Sequence, residues 1–287
     1  MPTIKRNFYE LFFDHKAFSA RKKLLLHLVG VWACFVLASF CETLHAQDKS
    51  LFEKHWFVQG TDTMPYRVLL PKNYDAGKKY PLLLFLHGSG ERGNDNEKQL
   101  VHGANFFLQD SVREKFPAII VFPQCTANSY WSNVHIRYDS VVKKRIWDFP
   151  TDEAPTTAMR LLLQLIPQVQ KEYRLDKNRL YVGGLSMGGM GTFELVRRLP
   201  KTFAAAWPIC GGANPSTAKM LRQPQWWIFH GLKDDVVPPE LSQQMADAIR
   251  LARGKVRLTL YPNANHNSWD AAFAEKDLLI WLFSQHR

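Results

Sequence analysis

Cysteine is scarce in this sequence: four residues in 287, of which Cys34 and Cys41 fall within the first 46. Beyond them only Cys125 and Cys210 remain, too few for a disulfide-stapled scaffold or a paired-cysteine metal site. Each follows an apolar run that reads as a strand. If those strands lie three steps apart in one sheet, at about 4.8 Å per step, the thiols are too distant to bridge, so both are expected free. Other signatures are also missing. There is no His-Glu-x-x-His, and no Gly-Lys-Ser/Thr closes a glycine-rich loop, which removes the common zinc-hydrolase and phosphate-cradling patterns. Gly183–Gly191 lacks the glycine spacing of a dinucleotide loop. No internal repeat or low-complexity linker interrupts the chain. The formal charge is +11, but Lys and Arg are scattered apart from Lys143-Lys144-Arg145, and no basic helix accompanies them. Nucleic acid is therefore not expected as a partner.

What is present starts with a targeting pattern. Arg21-Lys22-Lys23 precedes the uncharged apolar run Leu24–Phe40, and Leu44-His45-Ala46 resembles a cleavage site. The run falls short of the ~20 residues of a spanning helix. Residues 1–46 thus read as an N-terminal extension and export signal, leaving 47–287 as one catalytic domain in the periplasm or outside the cell. Uncleaved, the same segment would anchor the chain to a membrane. From residue 50 onward, short apolar runs alternate with helical patterns, which argues for one α/β domain around a mostly parallel sheet. Expected strands are His55–Gln59, Tyr66–Leu70, Leu82–Leu86, Ala118–Phe122, Arg179–Gly183, Ala204–Ile209, Trp226–Phe229 and Val256–Tyr261. Helices are expected over Ala158–Tyr173, Thr192–Leu199, Glu240–Arg253 and Lys276–Ser284. The long connection Cys125–Pro155 carries five large aromatics and is expected to fold over one edge of a functional site.

The chemistry gathers at Gly184-Leu185-Ser186-Met187-Gly188. A buried strand before it and a helix after it make a Gly-x-Ser-x-Gly elbow, in which the flanking glycines are expected to take the strained turn that lifts the serine oxygen clear of the sheet. A serine hydroxyl needs a base, and the base needs an acid to orient it. His266, in the polar loop after the last strand, is the candidate base. Asp234, in His230-Gly231-Leu232-Lys233-Asp234-Asp235, is the candidate acid, with Asp235 as second choice. Oxyanion donors are expected from the backbone of Met187 and from the loop His87–Gly93, with Ser89 first and Gly90 next. His87 and His230, each at a strand end before glycine, read as structural. Trp131 is a candidate substrate contact; Trp269 either contacts substrate or supports the His266 loop.

With these residues in view, the chain resembles the α/β-hydrolase superfamily. More narrowly it resembles the secreted esterase and prolyl-oligopeptidase-like group near feruloyl and acetylxylan esterases. The resemblance covers residues 60–285 and rests on Leu86-His87-Gly88-Ser89-Gly90-Glu91-Arg92-Gly93, the Ser186 elbow, His230-Gly231…Asp234…Val237-Pro238 and His266-Asn267-Ser268-Trp269. It implies an α/β-hydrolase fold with helices on both faces, the triad Ser186, Asp234 and His266, and no metal or organic cofactor. Only residues 210–225 separate the strand after the elbow from the next, so no large cap domain is expected. The implied partner is an ester-bearing small molecule or polysaccharide. A serine peptidase is the alternative, and an inactive carbohydrate-binding relative stands behind both.

Overall fold

A strand that is apolar on both faces must be covered on both faces, and Tyr80–Leu86 shows how this chain does it. The computed structural model describes residues 48–141 and 143–287; the expected export segment lies outside the described residues. Ten strands occur among the described residues: β1 (Phe52–Gln59), β2 (Asp62–Leu69), β3 (Tyr80–Leu86), β4 (Ile119–Pro123), β5 (His135–Asp139), β6 (Lys144–Asp148), β7 (Leu175–Leu185), β8 (Ala205–Ile209), β9 (Gln225–Gly231) and β10 (Val256–Tyr261). Eight form one sheet in the order β1-β2-β4-β3-β7-β8-β9-β10, and β5 and β6 pair only with each other. The two opening strands are antiparallel, and β4 onward runs parallel.

All seven residues of β3 are buried. Successive side chains point to opposite faces, so Leu82, Leu84 and Leu86 join one apolar cluster with Met159, Leu162, Phe193 and Met245. Leu83 and Phe85 join another with Phe107, Val112, Leu279 and Leu282. Helices Thr157–Glu172, Met187–Arg198 and Pro239–Leu251 thus cover one face, and Ala104–Leu108, Asp110–Lys115 and Leu278–Phe283 the other. Between β8 and β9 there is only the short 3₁₀ turn Pro215–Met220, so the sheet carries no large cap. No helix among the described residues is long and apolar enough to cross a membrane.

β4 and β8 do lie three steps apart, and Cys125 and Cys210 are free and buried. Burial pushes the Cys125 thiol up to about 12 and raises Cys210 further. Two expectations need correction. The helix after the elbow starts at Met187, not at Thr192, because the chain turns into it immediately behind Ser186. The connection 125–155 contains the β5–β6 hairpin, whose mostly exposed residues show no buried periodicity to signal a strand.

Candidate active site

The elbow is built by close approach. Ser186 has φ 55 and ψ −117, a region that side-chain-bearing residues enter only under constraint. The constraint comes from hydrogen bonds on both sides: Ser186 N–H donates to Ile209 O at 2.9 Å, and Met190 N–H donates to Ser186 O at 3.0 Å. The flanking glycines serve differently from expectation, since the positive φ falls on Ser186 and not on them. A Cβ on Gly188 would stand 1.9 Å from Leu86 O, and one on Gly184 would stand 2.4 Å from Gly188 O. Their missing side chains let the helix start lie directly on the ends of β3 and β7.

Two loops at the C-terminal ends of β9 and β10 bring up the partners. Ser186 Oγ–H points to His266 Nε2 at 2.9 Å, and His266 Nδ1–H donates to Asp234 Oδ2 at 2.8 Å. The loops are locked together by Lys233 N–H to Ala264 O at 3.0 Å and by Gly231, where a Cβ would meet Ala264 O at 2.4 Å. Asp234 is buried and its Oδ1 accepts the Val236 and Val237 amides at 2.9 and 2.8 Å. Burial opposes its charge, but hydrogen bonds from His230, His266 and the Val237 amide outweigh that and hold the carboxyl well below the usual carboxylate range. Its stabilising contribution is therefore complete above the free value of 3.8 and is lost only as pH falls through the lower native value. Asp235, the second choice, is exposed, and its amide donates to Asn265 Oδ1 at 3.2 Å. The structure brings Asp234, not Asp235, to His266.

Above Ser186 opens a cleft of about 160 Å³. Ser89 and Met187 line it beside Ser186; Met187 opens its helix, where the first N–H groups have no intrahelical partner. Gly90, one residue further on, is exposed and outside the lining. The other walls are Tyr130, Met190, Val236 and Val237, with Ile136, Arg145 and Trp147 from the hairpin. The expectation that segment 125–155 flanks the site is met, but through different residues from the one chosen.

Trp131 is the correction. It is wholly buried, its Nε1–H donates to His87 O at 3.1 Å, and it packs against Gly191, where a Cβ would come within 2.4 Å of its own. A side chain so enclosed offers no face to a ligand; Trp147, which sequence reasoning did not single out, lines the cleft instead. Trp269 stands edge-on to His266 with ring centroids 5.5 Å apart and is absent from the cleft lining, so it supports the His266 loop. His87 is structural as expected: its Nε2 accepts the Cys125 amide at 2.9 Å, and burial pushes it down to about 4. His230 is less passive than expected. It is fully buried, its Nε2 lies 2.9 Å from Val237 O and 3.2 Å from Asp234 Oδ2, and its Nδ1 lies 2.7 Å from Ser242 Oγ.

Cys210, Asp234 and His266 place three donor atoms within 4.8 Å of one another, a metal-like spacing. The donors are already engaged, however. Both His266 nitrogens and both Asp234 oxygens are hydrogen-bonded, and burial together with the Asp234 charge keeps the Cys210 thiol protonated. The set fits proton transfer along Ser186–His266–Asp234 better than it fits an ion.

Comparison with known proteins gives concordant results. Residues 60–273 match the model of a family described as "Putative esterase". A bifunctional acetylxylan esterase/xylanase of Neocallimastix patriciarum is 31% identical over 159 residues, 55% of this chain and 20% of that protein. A poly(3-hydroxybutyrate) depolymerase of Ralstonia pickettii is 30% identical over 143 residues, 48% of this chain and 26% of its own length. The chain therefore spans about a quarter or less of these two relatives. Among solved structures, a thermostable esterase superposes with TM-score 0.73 at 33% identity, covering 83% of this chain and 64% of that one. A ferulic acid esterase superposes with TM-score 0.59 at 18% identity, covering 81% and 98%, which shows a shared fold.

The hydrogen bonds of His230 carry a measurable consequence. His230→Ala strips partners from the buried Asp234 and Ser242 together, and urea unfolding should show a loss of roughly 2 to 4 kcal/mol. An unchanged midpoint would mean that this network adds no stability.

Proposed function

The chain belongs to the esterase family, and on that premise we propose that it hydrolyses carboxylic esters through an acyl-serine intermediate. The observation that carries the proposal is the continuous chain from Ser186 Oγ through His266 to Asp234, at 2.9 and 2.8 Å, with Ser186 lining an open cleft. In the first step His266 Nε2 takes the Ser186 proton as Oγ attacks the ester carbonyl carbon. The carbonyl electrons collect on oxygen, where the N–H groups of Met187 and Ser89 receive them. Asp234 holds Nδ1–H and stabilises the imidazolium. The intermediate collapses by expelling the alcohol, which leaves with the proton from Nε2. Water then repeats the sequence on the acyl group, giving the acid and restoring Ser186.

The substrates we favour are feruloyl or acetyl esters on plant polysaccharide. Supporting this, the cleft has no helical cap and its wall is an exposed hairpin, which leaves room for a polymer-borne ester. The names of the acetylxylan esterase and ferulic acid esterase relatives point the same way. We further propose that the chain is exported, with residues 47–287 as the catalytic domain. Terminal sequencing of the exported protein should begin near Gln47; a chain still carrying Leu24–Phe40 would contradict the cleavage.

Against an aryl ester, Ser186→Ala should lower kcat/KM by roughly 10⁴-fold or more, and Asp234→Asn by about 10⁴-fold. Asp235→Asn should cost less than about threefold, since that side chain is outside the relay. Equal losses in the two Asp variants would refute the choice of acid. Peptide cleavage without ester turnover would refute the ester reading itself.

A further inference from the structure

The β5–β6 hairpin sorts its side chains by face. Ile136 stands opposite Trp147 and Tyr138 opposite Arg145 in the ladder. Residues directly opposite share a face, and alternate residues along a strand return to it. Ile136, Tyr138, Arg145 and Trp147 therefore form one face, and three of these four line the cleft over Ser186. Tyr138, 65% exposed, continues that wall outward beside Arg145. The opposite face carries charges of both signs, including Arg137 and Asp139 paired at 4.0 Å. On the cleft face the only charged side chain is a cation.

That cation is poorly satisfied. Arg145 makes one long hydrogen bond, from Nη1 to Val236 O at 3.4 Å, and no ion pair among the described residues. A second guanidinium, outside the lining, contacts two residues of the cleft wall, Ser89 and Tyr130. Arg92 donates to Ser89 O at 3.0 Å and Ser129 O at 3.3 Å and lies 4.9 Å from the centroid of the Tyr130 ring, again with no ion pair among the described residues. Asp234, reached from Ser186 only through His266, is enclosed and fully hydrogen-bonded. Arg145 lines the cleft as a cation with no ion pair among the described residues, Arg92 adds a second positive charge behind Ser89 and Tyr130, and the planar fork of Arg145 matches a carboxylate.

We propose that the cleft selects esters that carry a carboxylate close to the scissile bond, with Arg145 holding that carboxylate and Tyr138 covering the group that bears it. The selection rests on the ester-hydrolase reading and narrows its substrate class. Two sources share the chemistry: a half-ester of a dicarboxylic acid, with the charge on the acyl side, and an ester on an acidic sugar or ring, with the charge on the alcohol side.

Matched pairs of esters separate these. On the acyl side, para-nitrophenyl hemiglutarate is compared with para-nitrophenyl valerate. On the alcohol side, meta-carboxyphenyl acetate is compared with phenyl acetate, each rate being divided by that of alkaline hydrolysis. In one of the two pairs the wild-type chain should favour the charged ester by about tenfold or more in kcat/KM, mainly through KM. The ratio should fall toward one in Arg145→Gln, persist in part in Arg145→Lys and shrink between about 20 mM and about 300 mM salt. Turnover of the neutral esters with no preference for the charged partner in either pair, or a preference unchanged in Arg145→Gln, overturns the selection and leaves ester hydrolysis standing. No turnover of any of the four esters overturns both.

Discussion

The whole site hangs on one tight contact, the helix start at Gly188 pressed against the end of β3 at Leu86 O. Any side chain at Gly188 would collide with that carbonyl at 1.9 Å. Because the helix is held there, Ser186 is forced to φ 55 and its oxygen is lifted off the sheet. The strain costs on the order of 1–3 kcal/mol. Burial of β3, β7 and the helix face, together with the bonds from Ser186 to Ile209 and Met190, offsets it. A looser packing at residue 188 would let the serine relax and would lose the alignment with His266.

The parallel sheet does the rest of the positioning. Strands β3, β7, β9 and β10 all release their loops at the same edge, so Ser89, Ser186, Asp234 and His266 converge although they are far apart in sequence. The two partner loops are fixed to each other before they meet the serine, through Gly231 and the Lys233–Ala264 bond. Asp234 is in turn gripped by two amides and by the buried His230. Precision at Nε2 of His266 thus derives from the contacts that hold Asp234 and join the two loops.

The sequence announces this layout wherever burial writes a pattern. Leu82–Leu86 and Ala204–Ile209 are continuous apolar runs, and each appears as a central strand within a few residues. Ser186 and Asp234 are legible because each follows a buried strand, and His266 because a polar loop follows the alternating edge strand β10. The hairpin was not, since a two-stranded ribbon with mostly exposed residues buries no alternating face. Trp131 and Trp147 look alike in one dimension. What separates them is the space left by Gly191 and the hydrogen bond to the His87 carbonyl, which hold Trp131 in the core, and neither is visible in local composition. The motif suggests conformational joints at Gly184 and Gly188, while the fold uses both glycines for clearance.

The central claim is that Ser186 alone is the activated nucleophile. A fluorophosphonate reacts only with a serine whose proton is taken by a neighbouring base, so its site of attachment reports that activation directly. Peptide mapping of the native chain after such labelling should show one phosphonyl adduct, on the peptide containing Ser186, and none in Ser186→Ala. An unlabelled native chain, or an adduct on another serine, would contradict the account.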